Sequence, residues 1–400
     1  MEPKVLITDG NERAALAATR SLGKSGFQIE ICTYEGPSLS GASKYCLMEH
    51  RVPSPLAAPT AFTDRILEVC LDRAIDVLLP ITDAALLALL PRRQEFSPTR
   101  IPFPSFESYS RVSAKDALMT TARDLGLYTP GQVVLAEPPA KPLASADLPD
   151  FPLVIKPARS VFDSDSDGVR RQTGVTYVSD EVELGNALER YPAGAYPLLL
   201  QERIPGAGFG VFLLLWEGKL LATFAHRRLR EKPPTGGVSV YREAIALDPD
   251  LLDLSRKLLE SHDWSGVAMV EFKRSTRDGR PYLMEVNGRF WGSLQLAIDA
   301  GVDFPTLLVR SALGEAVSPV SSYRVGTRSR WFLGDLDHLL LRLRRKYRPP
   351  ELPPGSGGLL RALVRFATPW APGARFEVLR ISDPGPGIRE WKQWVGGILR

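Results

Sequence analysis

Cysteine is scarce in this sequence: Cys32, Cys46 and Cys70 are the only three in 400 residues. An odd and scattered set does not form a disulfide framework and is typical of a reducing compartment. No uninterrupted apolar run is long enough to span a membrane, and charges interrupt the short apolar run near the N-terminus. We therefore expect a cytoplasmic protein with neither a transmembrane segment nor a signal peptide.

Composition places the chain among ordinary globular proteins, with 44% hydrophobic and 24% charged residues. A chain of 400 residues predicts two or three domains. Charge is spread unevenly, because residues 324–400 carry 15 Lys/Arg against 6 Asp/Glu, whereas the first 323 carry 35 against 40. The pattern predicts a mildly acidic body followed by a basic C-terminal region.

The first 110 residues alternate between short apolar runs and segments with helical spacing. This rhythm predicts βαβ units, hence a small doubly wound α/β domain with a parallel sheet. The first unit lacks G-x-G-x-x-G, so no dinucleotide site is expected. The predicted elements are strands at Lys4–Thr8, Phe27–Cys32 and Asp76–Pro80, and helices at Glu12–Lys24, Ala61–Arg73 and Asp83–Leu90.

Further along, two lysines stand at the ends of predicted elements. Lys115 opens a helix that runs to about Leu125, with Ser113 as its expected N-cap. Lys156 ends the apolar strand FPLVIKP, and the polar stretch 158–174 that follows predicts a mobile lid. Each lysine could also be an ordinary surface residue whose stem packs on the protein.

The basic run His226–Lys232 and the glycine pair at 236–237 form the next notable segment. Arg227, Arg228 and Arg230 could form an anion-binding lip that holds a substrate carboxylate. A solvated basic face explains the same residues equally well, and both alternatives stay open.

The most informative stretch is 266–293, which reads as two strands around Arg277-Asp278-Gly279. Glycine in the third position suits a three-residue hairpin loop. Centring the hairpin on Asp278 pairs Glu271 with Glu285, whereas a two-residue Asp-Gly loop would put the two acids on opposite faces. Alternation then assigns the apolar residues Val270, Phe272, Met284 and Val286 to the core, and the polar residues Glu271, Glu285 and Asn287 to the other face.

Two carboxylates that face each other across strands repel, and a divalent cation between them would remove the conflict. Glu271, Glu285 and Asn287 offer only oxygen-type ligands, which suit Mg²⁺ or Mn²⁺ rather than zinc. Arg289 adds a positive group on the same face, suited to phosphate or carboxylate. A solvated hairpin face with incidental acids is the alternative.

Taken in order, these segments resemble the ATP-grasp superfamily, specifically its carboxylate–amine or carboxylate–thiol ligases, such as the carbamoyl-phosphate synthase and biotin carboxylase type. The resemblance covers about residues 1–315. It rests on Lys115 after a small α/β domain, on FPLVIKP, on LLLQERIPG with Glu202, and on VEFK…YLMEVNGRFWGS. It implies a pre-ATP-grasp domain at 1–110, a two-lobed α+β ATP-grasp domain at 111–314, and a basic C-terminal subdomain at 315–400.

The resemblance also implies roles for particular residues. Lys115 and Lys156 would hold ATP phosphates, while Glu202 and the Ile204 backbone would meet the adenine. Arg289 would steady the transferred phosphoryl group or an acyl phosphate. Mg²⁺ or Mn²⁺ would be held by the remaining set, Glu271, Glu285 and Asn287.

The implied activity is an ADP-forming ligase that joins a small-molecule carboxylate to an amine or similar nucleophile, with a homodimer as one expected state. Two alternatives remain open: an ATP-grasp kinase or phosphotransferase, and a nucleotide-binding regulatory or peripheral membrane module. For the basic tail, nucleic acid is not an expected partner. Contact with a membrane surface is considered but less favoured than a tail that shields the acidic body or contacts substrate.

Overall fold

The computed structural model describes residues 2–141, 143, 147–164, 169–344, 357–368 and 374–398. The N-terminal unit alternates strands and helices, as the sequence predicted. Its elements are β1 (Lys4–Ile7), α1 (Arg13–Lys24), β2 (Gln28–Thr33), β3 (Cys46–Arg51), α2 (Pro59–Arg73), β4 (Val77–Leu79) and α3 (Asp83–Leu89).

The four described strands of this unit form a parallel sheet in the order β3-β2-β1-β4. Strand β1 lies inside the sheet, and its Val5, Leu6 and Ile7 are fully buried. Strand β3 was not predicted, because this edge strand is mostly polar or exposed and carries no apolar run. The predicted parallel α/β sheet is confirmed.

Two helices connected by one extended residue lead out of this unit: α4 (Phe106–Ser113) and α5 (Lys115–Asp124). The prediction that Ser113 caps the second helix is wrong. Ser113 is the last residue of α4, which Ser105 caps, and Ala114 occupies the N-cap position of α5 without a side-chain bond. The domain boundary predicted after residue 110 falls inside α4 and stays a prediction.

A small lobe follows, built on the antiparallel sheet β5-β10-β6-β9. Its core includes Leu153, Ile155, Leu198 and Leu200. The segment predicted as a lid contains a short hairpin, although residues 165–168 lie outside the described part of the chain. The elements are β5 (Gln132–Leu135), β6 (Leu153–Pro157), β7 (Val161–Asp163), β8 (Arg170–Gln172), β9 (Thr176–Val178), α6 (Glu181–Leu188) and β10 (Leu198–Glu202).

The large lobe is built on a sheet that has seven strands within the described residues, in the order β15-β14-β11-β12-β13-β16-β17. Its elements up to residue 312 are β11 (Gly206–Trp216), β12 (Lys219–Lys232), β13 (Val238–Ala244), α7 (Pro249–Glu260), β14 (Gly266–Ser275), β15 (Pro281–Asn287), α8 (Leu294–Ala300) and α9 (Phe304–Ala312). The basic run His226–Lys232 forms the second half of β12, and β13 was not predicted.

The C-terminal residues complete this sheet and return to the N-terminal unit. They form β16 (Arg328–Arg330), α10 (Phe332–Leu343), α11 (Leu359–Ala367), β17 (Ala374–Phe376) and α12 (Gly385–Ile398). Strand β16 pairs with β13, and β17 lies beside β16. The sequence of residues 336–347 predicts an amphipathic basic helix; α10 covers this segment up to Leu343 but begins earlier, at Phe332, and residues 345–347 lie outside the described part. Within the described residues, no helix is long and apolar enough to cross a membrane.

Candidate active site in the interlobe cleft

The acid pair predicted from the hairpin is present. Glu271 on β14 lies directly opposite Glu285 on β15, and Val270 lies opposite Val286. The two carboxylates therefore share one face, and this part of the prediction is confirmed.

The loop that was expected to produce this register has a different length. Ser275 donates its amide to the carbonyl of Arg280 at 2.9 Å, which leaves a four-residue loop, 276–279, rather than three residues. A hairpin with that loop would place Glu285 opposite Val270. The structure corrects the offset with a β-bulge, because Phe272 pairs with Leu283 while Glu271 pairs with Glu285.

Met284 is the extra residue of this bulge. It was predicted to face the core, but Leu283 takes that place and is fully buried, whereas Met284 lines the cleft. Its backbone carbonyl accepts a hydrogen bond from Lys156 Nζ at 3.1 Å. The bulge therefore both restores the acid pair and provides an anchor for a predicted site residue.

The predicted site residues gather around two adjoining cavities. A cleft of about 730 Å³ is lined by seven of them: Lys156, Glu202, Ile204, Glu271, Glu285, Asn287 and Arg289. Lys115 lines a neighbouring cavity of about 690 Å³, and Glu285 and Asn287 line both cavities. Residues separated by up to 174 positions in the sequence thus surround one space.

The two lysines approach Glu285 from different elements. Lys115 Nζ lies 3.9 Å from Glu285 Oε2 and donates to Ser160 Oγ at 2.9 Å. The backbone amide of Lys115 also donates to the carbonyl of Ala158 at 3.0 Å, which fixes the start of α5 against the small lobe. Burial lowers the pKa of Lys156 to about 8, with the charge of Glu285 acting in the opposite direction.

The two acids differ in their electrostatic surroundings. Burial raises the pKa of Glu271, and the nearby Glu285 carboxylate adds to this rise, while Arg228 opposes it. Burial alone would also raise the pKa of Glu285, but the ammonium groups of Lys115 and Lys156 outweigh it and lower that pKa. Glu285 is therefore the carboxylate held more firmly in its charged form.

The donor set suits a hard divalent cation. Arg228 contacts Glu271 through Oε2, and no described residue donates a hydrogen bond to Glu271 Oε1 or Glu285 Oε2. Asn287 donates to Glu285 Oε1 at 3.0 Å, which orients the carboxylate. Among the described residues there is no cluster of three or more His, Cys, Asp or Glu that would enclose a metal. Mg²⁺ is usually bound by one or two carboxylates, and phosphate oxygens and water complete its coordination shell.

Arg289 is held by a residue that sequence analysis did not identify. Its Nε donates to Asp83 Oδ2 at 2.8 Å, and another nitrogen donates to Asn287 Oδ1 at 3.1 Å. Tyr109 donates to the other oxygen of Asp83 at 2.7 Å. Burial would raise the pKa of Asp83, but Arg289 and Tyr109 together lower it, so the aspartate remains charged. Nothing in the local sequence of Asp83, at the start of α3, indicates this contact.

At the other side of the cleft, Glu202 and Ile204 follow the course expected from β10. Glu202 Oε1 accepts from Arg277 at 2.5 Å, so the hairpin loop reaches the small lobe. The carbonyl of Ile204 accepts from Lys273 Nζ at 3.4 Å. Both residues line the cleft where the two lobes join.

The three arginines of the basic run have different partners. Arg228 lies in the cleft and pairs with both Glu271 and Glu231. Arg227 pairs with Glu243 at 2.6 Å, and Arg230 pairs with Asp335 at 2.6 Å. Gly236 and Gly237 line the cleft beside Arg228. Of the predicted anion-binding lip, the structure thus places only Arg228 and the glycine pair at the site.

Comparison with known sequences gives one family match. Residues 195–332 match a family described as ATP-grasp in the biosynthetic pathway with Ter operon. Curated protein sequences give no significant match.

Solved structures resemble the chain over most of its length. An L-amino acid ligase from Bacillus licheniformis aligns with a TM-score of 0.59 and 18% identity, covering 79% of this chain and 75% of the ligase. N5-carboxyaminoimidazole synthetase from Staphylococcus aureus aligns with a TM-score of 0.62 and 13% identity, covering 87% and 88%. The biotin carboxylase domain of Hydrogenobacter thermophilus 2-oxoglutarate carboxylase, solved with MgADP, ADP and bicarbonate, aligns with a TM-score of 0.61 and 15% identity, covering 82% and 73%.

These likenesses cover 79–87% of the chain. With identities of 13–18%, they establish the architecture rather than the substrate. Residues 195–332 match an ATP-grasp family, and the chain shares its overall fold with these three proteins.

Proposed function

We propose that the protein is an ATP-dependent, ADP-forming ligase that activates a carboxylate as an acyl phosphate and joins it to an amine or similar nucleophile. One observation carries the proposal: two buried lysines converge on a paired-carboxylate face with Asn287 beside it, on an ATP-grasp scaffold. Phosphoryl transfer needs alignment and charge neutralisation, and these residue types provide both.

The nucleotide would lie along the cleft, with its adenine at the junction of the lobes and its phosphates toward the hairpin. Glu202 and the backbone around Ile204 line the junction and would contact the adenine. Lys156 and Lys115 would contact the phosphates as point charges. Although burial lowers the pKa of Lys156 to about 8, this side chain is protonated in most molecules at neutral pH.

Glu271, Glu285 and Asn287 would hold Mg²⁺ or Mn²⁺. When bound, the ion would neutralise phosphate charge. Arg228 would remain on Glu271 Oε2, and Asn287 would keep Glu285 oriented by the hydrogen bond already present. The three side chains therefore need little rearrangement to act as ligands.

In the first step a carboxylate oxygen of the acid attacks the γ-phosphorus, and the bond to the bridging oxygen of ADP breaks. The acid becomes an acyl phosphate. In the second step the amine nitrogen attacks the acyl carbon, the carbon–oxygen bond to phosphate breaks, and the nitrogen loses a proton. Arg289, fixed by Asp83, would stabilise the negative charge on the transferred group during both steps.

The hairpin β7–β8 would exclude water from the acyl phosphate. Its neighbouring residue Ser160 accepts a hydrogen bond from Lys115, and Arg170 donates its amide to the carbonyl of Leu56 in the N-terminal unit at 2.8 Å. These bonds join the hairpin region to α5 and to the N-terminal unit, which suits a cover over a reactive intermediate.

The test is ADP release from the full-length protein against a matrix of acids and amines, with and without hydroxylamine. A ligase should release ADP only with a particular acid and should form that acid's hydroxamate when hydroxylamine replaces the amine. A kinase would release ADP and transfer phosphate to a hydroxyl without forming any hydroxamate, and that result would contradict the proposal. A homodimer and a cytoplasmic location stay predictions.

A further inference from the structure

The interlobe cleft contains a group of residues that the proposed mechanism does not use. Arg13 from α1 and Arg242 from β13 both line the cleft and share Glu377 as a partner. The loop after Arg289, with Trp291, Gly292 and Ser293, also lines the cleft, and Gly292 lies close to Arg13. Elements from the N-terminal unit and the large lobe therefore enclose this arginine end of the cleft together.

In the described part of the chain, the two arginines share a single ion-pair partner. Glu377, which follows β17, pairs with Arg13 at 2.9 Å through Oε2, and the same oxygen accepts from Arg242. One buried carboxylate thus serves two guanidinium groups. Glu12 also lines this end, but among the described residues it forms no ion pair with either arginine.

Burial disfavours the charged form of Arg242 in spite of this shared carboxylate. Burial lowers the pKa of Arg242 to about 10, and the charges of Arg13 and Arg228 add to the fall while Glu377 opposes it. Arg228 cannot contribute a free charge, because Glu271 and Glu231 already pair with it. His226 lies nearby and is neutral, since burial lowers its pKa well below the usual value.

Several buried polar atoms of this wall have no hydrogen-bond partner among the described residues. A buried unsatisfied donor costs roughly 1–3 kcal/mol, so these atoms would gain from a polar ligand that reaches this wall. The side chains concerned are less than a tenth exposed, and the atoms are His226 Nδ1, Ser239 Oγ, Arg242 Nε and Trp291 Nε1.

Arg13 is held in position to face this space. Its guanidinium lies 4.1 Å from the centroid of the Trp331 ring, which fixes the plane of the group. A Cβ placed on Gly292 would lie 3.0 Å from a terminal nitrogen of Arg13, so glycine there leaves room for the arginine. Gly292 follows Arg289 by three positions, a span of at most about 11 Å.

We propose that Arg13 and Arg242 form a subsite for an oxyanionic group of one reactant, separate from the carboxylate that is activated. This inference rests on the proposed function. Guanidinium groups bind carboxylate or phosphate in a bidentate manner, and the subsite lies within reach of Arg289 for a small molecule. The preferred reactant is a small molecule with a second oxyanion, either a carboxylate or a phosphate monoester.

The experiment measures binding of defined probes to the full-length protein by titration calorimetry, with MgADP present and absent. Succinate is compared with butyrate, and glycerol 3-phosphate is compared with glycerol. We expect the probe with the additional oxyanion to bind at least about tenfold more tightly than its partner in one of the two pairs. The pair that shows the preference identifies carboxylate or phosphate as the recognised group.

Substitutions of Arg13 then test whether this residue causes the preference for the additional oxyanion. Arg13→Met should remove the preference, and Arg13→Lys should restore part of it, because lysine keeps the charge without the planar fork. Arg65→Met, on the exposed surface of α2, is the matched control and should keep the preference. Arg13 is preferred over Arg242 for the test because its side chain is 10% exposed, whereas that of Arg242 is 1% exposed and supports the fold more strongly.

Two results would overturn the inference: equal affinity within both probe pairs, or an unchanged preference in Arg13→Met. Neither result touches the proposed function, which fails separately if the wild-type protein does not bind MgADP. Arg13→Met should bind MgADP as the wild type does, since Arg13 contacts Glu377 and Trp331, which are not among the residues proposed to hold the nucleotide.

Discussion

Asp83 accepts a hydrogen bond from Arg289 Nε at 2.8 Å, joining the first helix turn after β4 to the end of β15. The two residues are 206 positions apart in sequence. Because Tyr109 donates to the second oxygen of Asp83, the carboxylate is fixed on both sides and can orient the guanidinium. The N-terminal unit therefore supports the candidate site directly rather than only flanking it.

Asp83→Asn should weaken this support. The variant leaves Arg289 partly buried without its counter-charge, which we expect to cost roughly 1–3 kcal/mol of unfolding free energy. ADP release should fall through kcat more than through the KM for ATP, because Arg289 is proposed to act on the transferred group. Urea unfolding and initial-rate kinetics check the two effects. Asp253→Asn, on an exposed helix face, is the control, and an unchanged kcat in Asp83→Asn would remove Asp83 from the positioning role.

Glu285→Gln should reduce ATP turnover by at least about 100-fold at saturating Mg²⁺. The amide keeps the shape of the side chain but removes the charge that Lys115, Lys156 and a cation would share. Circular dichroism should show an intact fold. Turnover near the wild-type value would remove Glu285 from the metal site.

Glu390 provides a prediction for the dependence of stability on pH. Burial raises its pKa to about 7, while Trp331 Nε1 donates to it at 2.6 Å and acts in the opposite direction. The folded state therefore keeps the proton that the unfolded chain releases near pH 4.5. The resulting contribution to stability is complete below about pH 4.5 and is lost as pH rises to about 7.

Glu390→Gln cannot ionise and keeps an acceptor for Trp331. We expect it to match the wild type near pH 4.5 and to be more stable by roughly 3 kcal/mol above pH 8. Urea unfolding followed by tryptophan fluorescence across this pH range measures the difference, with exposed Glu260→Gln as the control. Parallel stability profiles for variant and wild type would contradict the assignment.

Arg20→Leu tests how firmly the C-terminal residues are attached. Arg20 is buried, donates from Nε to Asp383 at 2.8 Å, and reaches the carbonyls of Glu377, Val378 and Asp383. Removing it leaves the Asp383 carboxylate buried without its cation, which should cost about 3–5 kcal/mol. A shift in the urea midpoint checks this value, and Arg65→Leu is the exposed control.

The double variant Arg20→Leu with Asp383→Leu should recover part of that loss, because no uncompensated charge remains. Equal stability of the single variant and the wild type would show that α12 is not held by this pair.

Periodic and local features could be predicted from the sequence. The first βαβ unit follows from alternating apolar runs, and β6, β10, β14 and β15 follow from apolar stretches bounded by turn residues. Strand β3 could not be found this way, because an exposed edge strand lacks the apolar face that produces the pattern. The prediction that Ser113 is an N-cap failed for a related reason. Serine is a common residue at N-cap positions, and only the structure shows that α4 continues as far as Ser113.

The pairing of Glu271 with Glu285 was predicted correctly, although the predicted loop length of the hairpin was wrong. The four-residue loop by itself would have placed Glu285 toward the core, and the bulge at Met284 returns it to the cleft face. Bulges depend on the neighbouring strands and on contacts such as the bond from Lys156 to the Met284 carbonyl, which sequence spacing does not encode locally.

The sequence by itself determined which chemical groups are available at the proposed site, because the residue types and their order along the chain are visible without coordinates. Only the tertiary structure decided which charges meet. Asp83 reaches Arg289, and Glu377 is shared by Arg13 and Arg242, across separations of 135 to 364 residues. Such contacts have no local signal, since the partners are brought together by sheet order and helix packing rather than by their own neighbours in the chain.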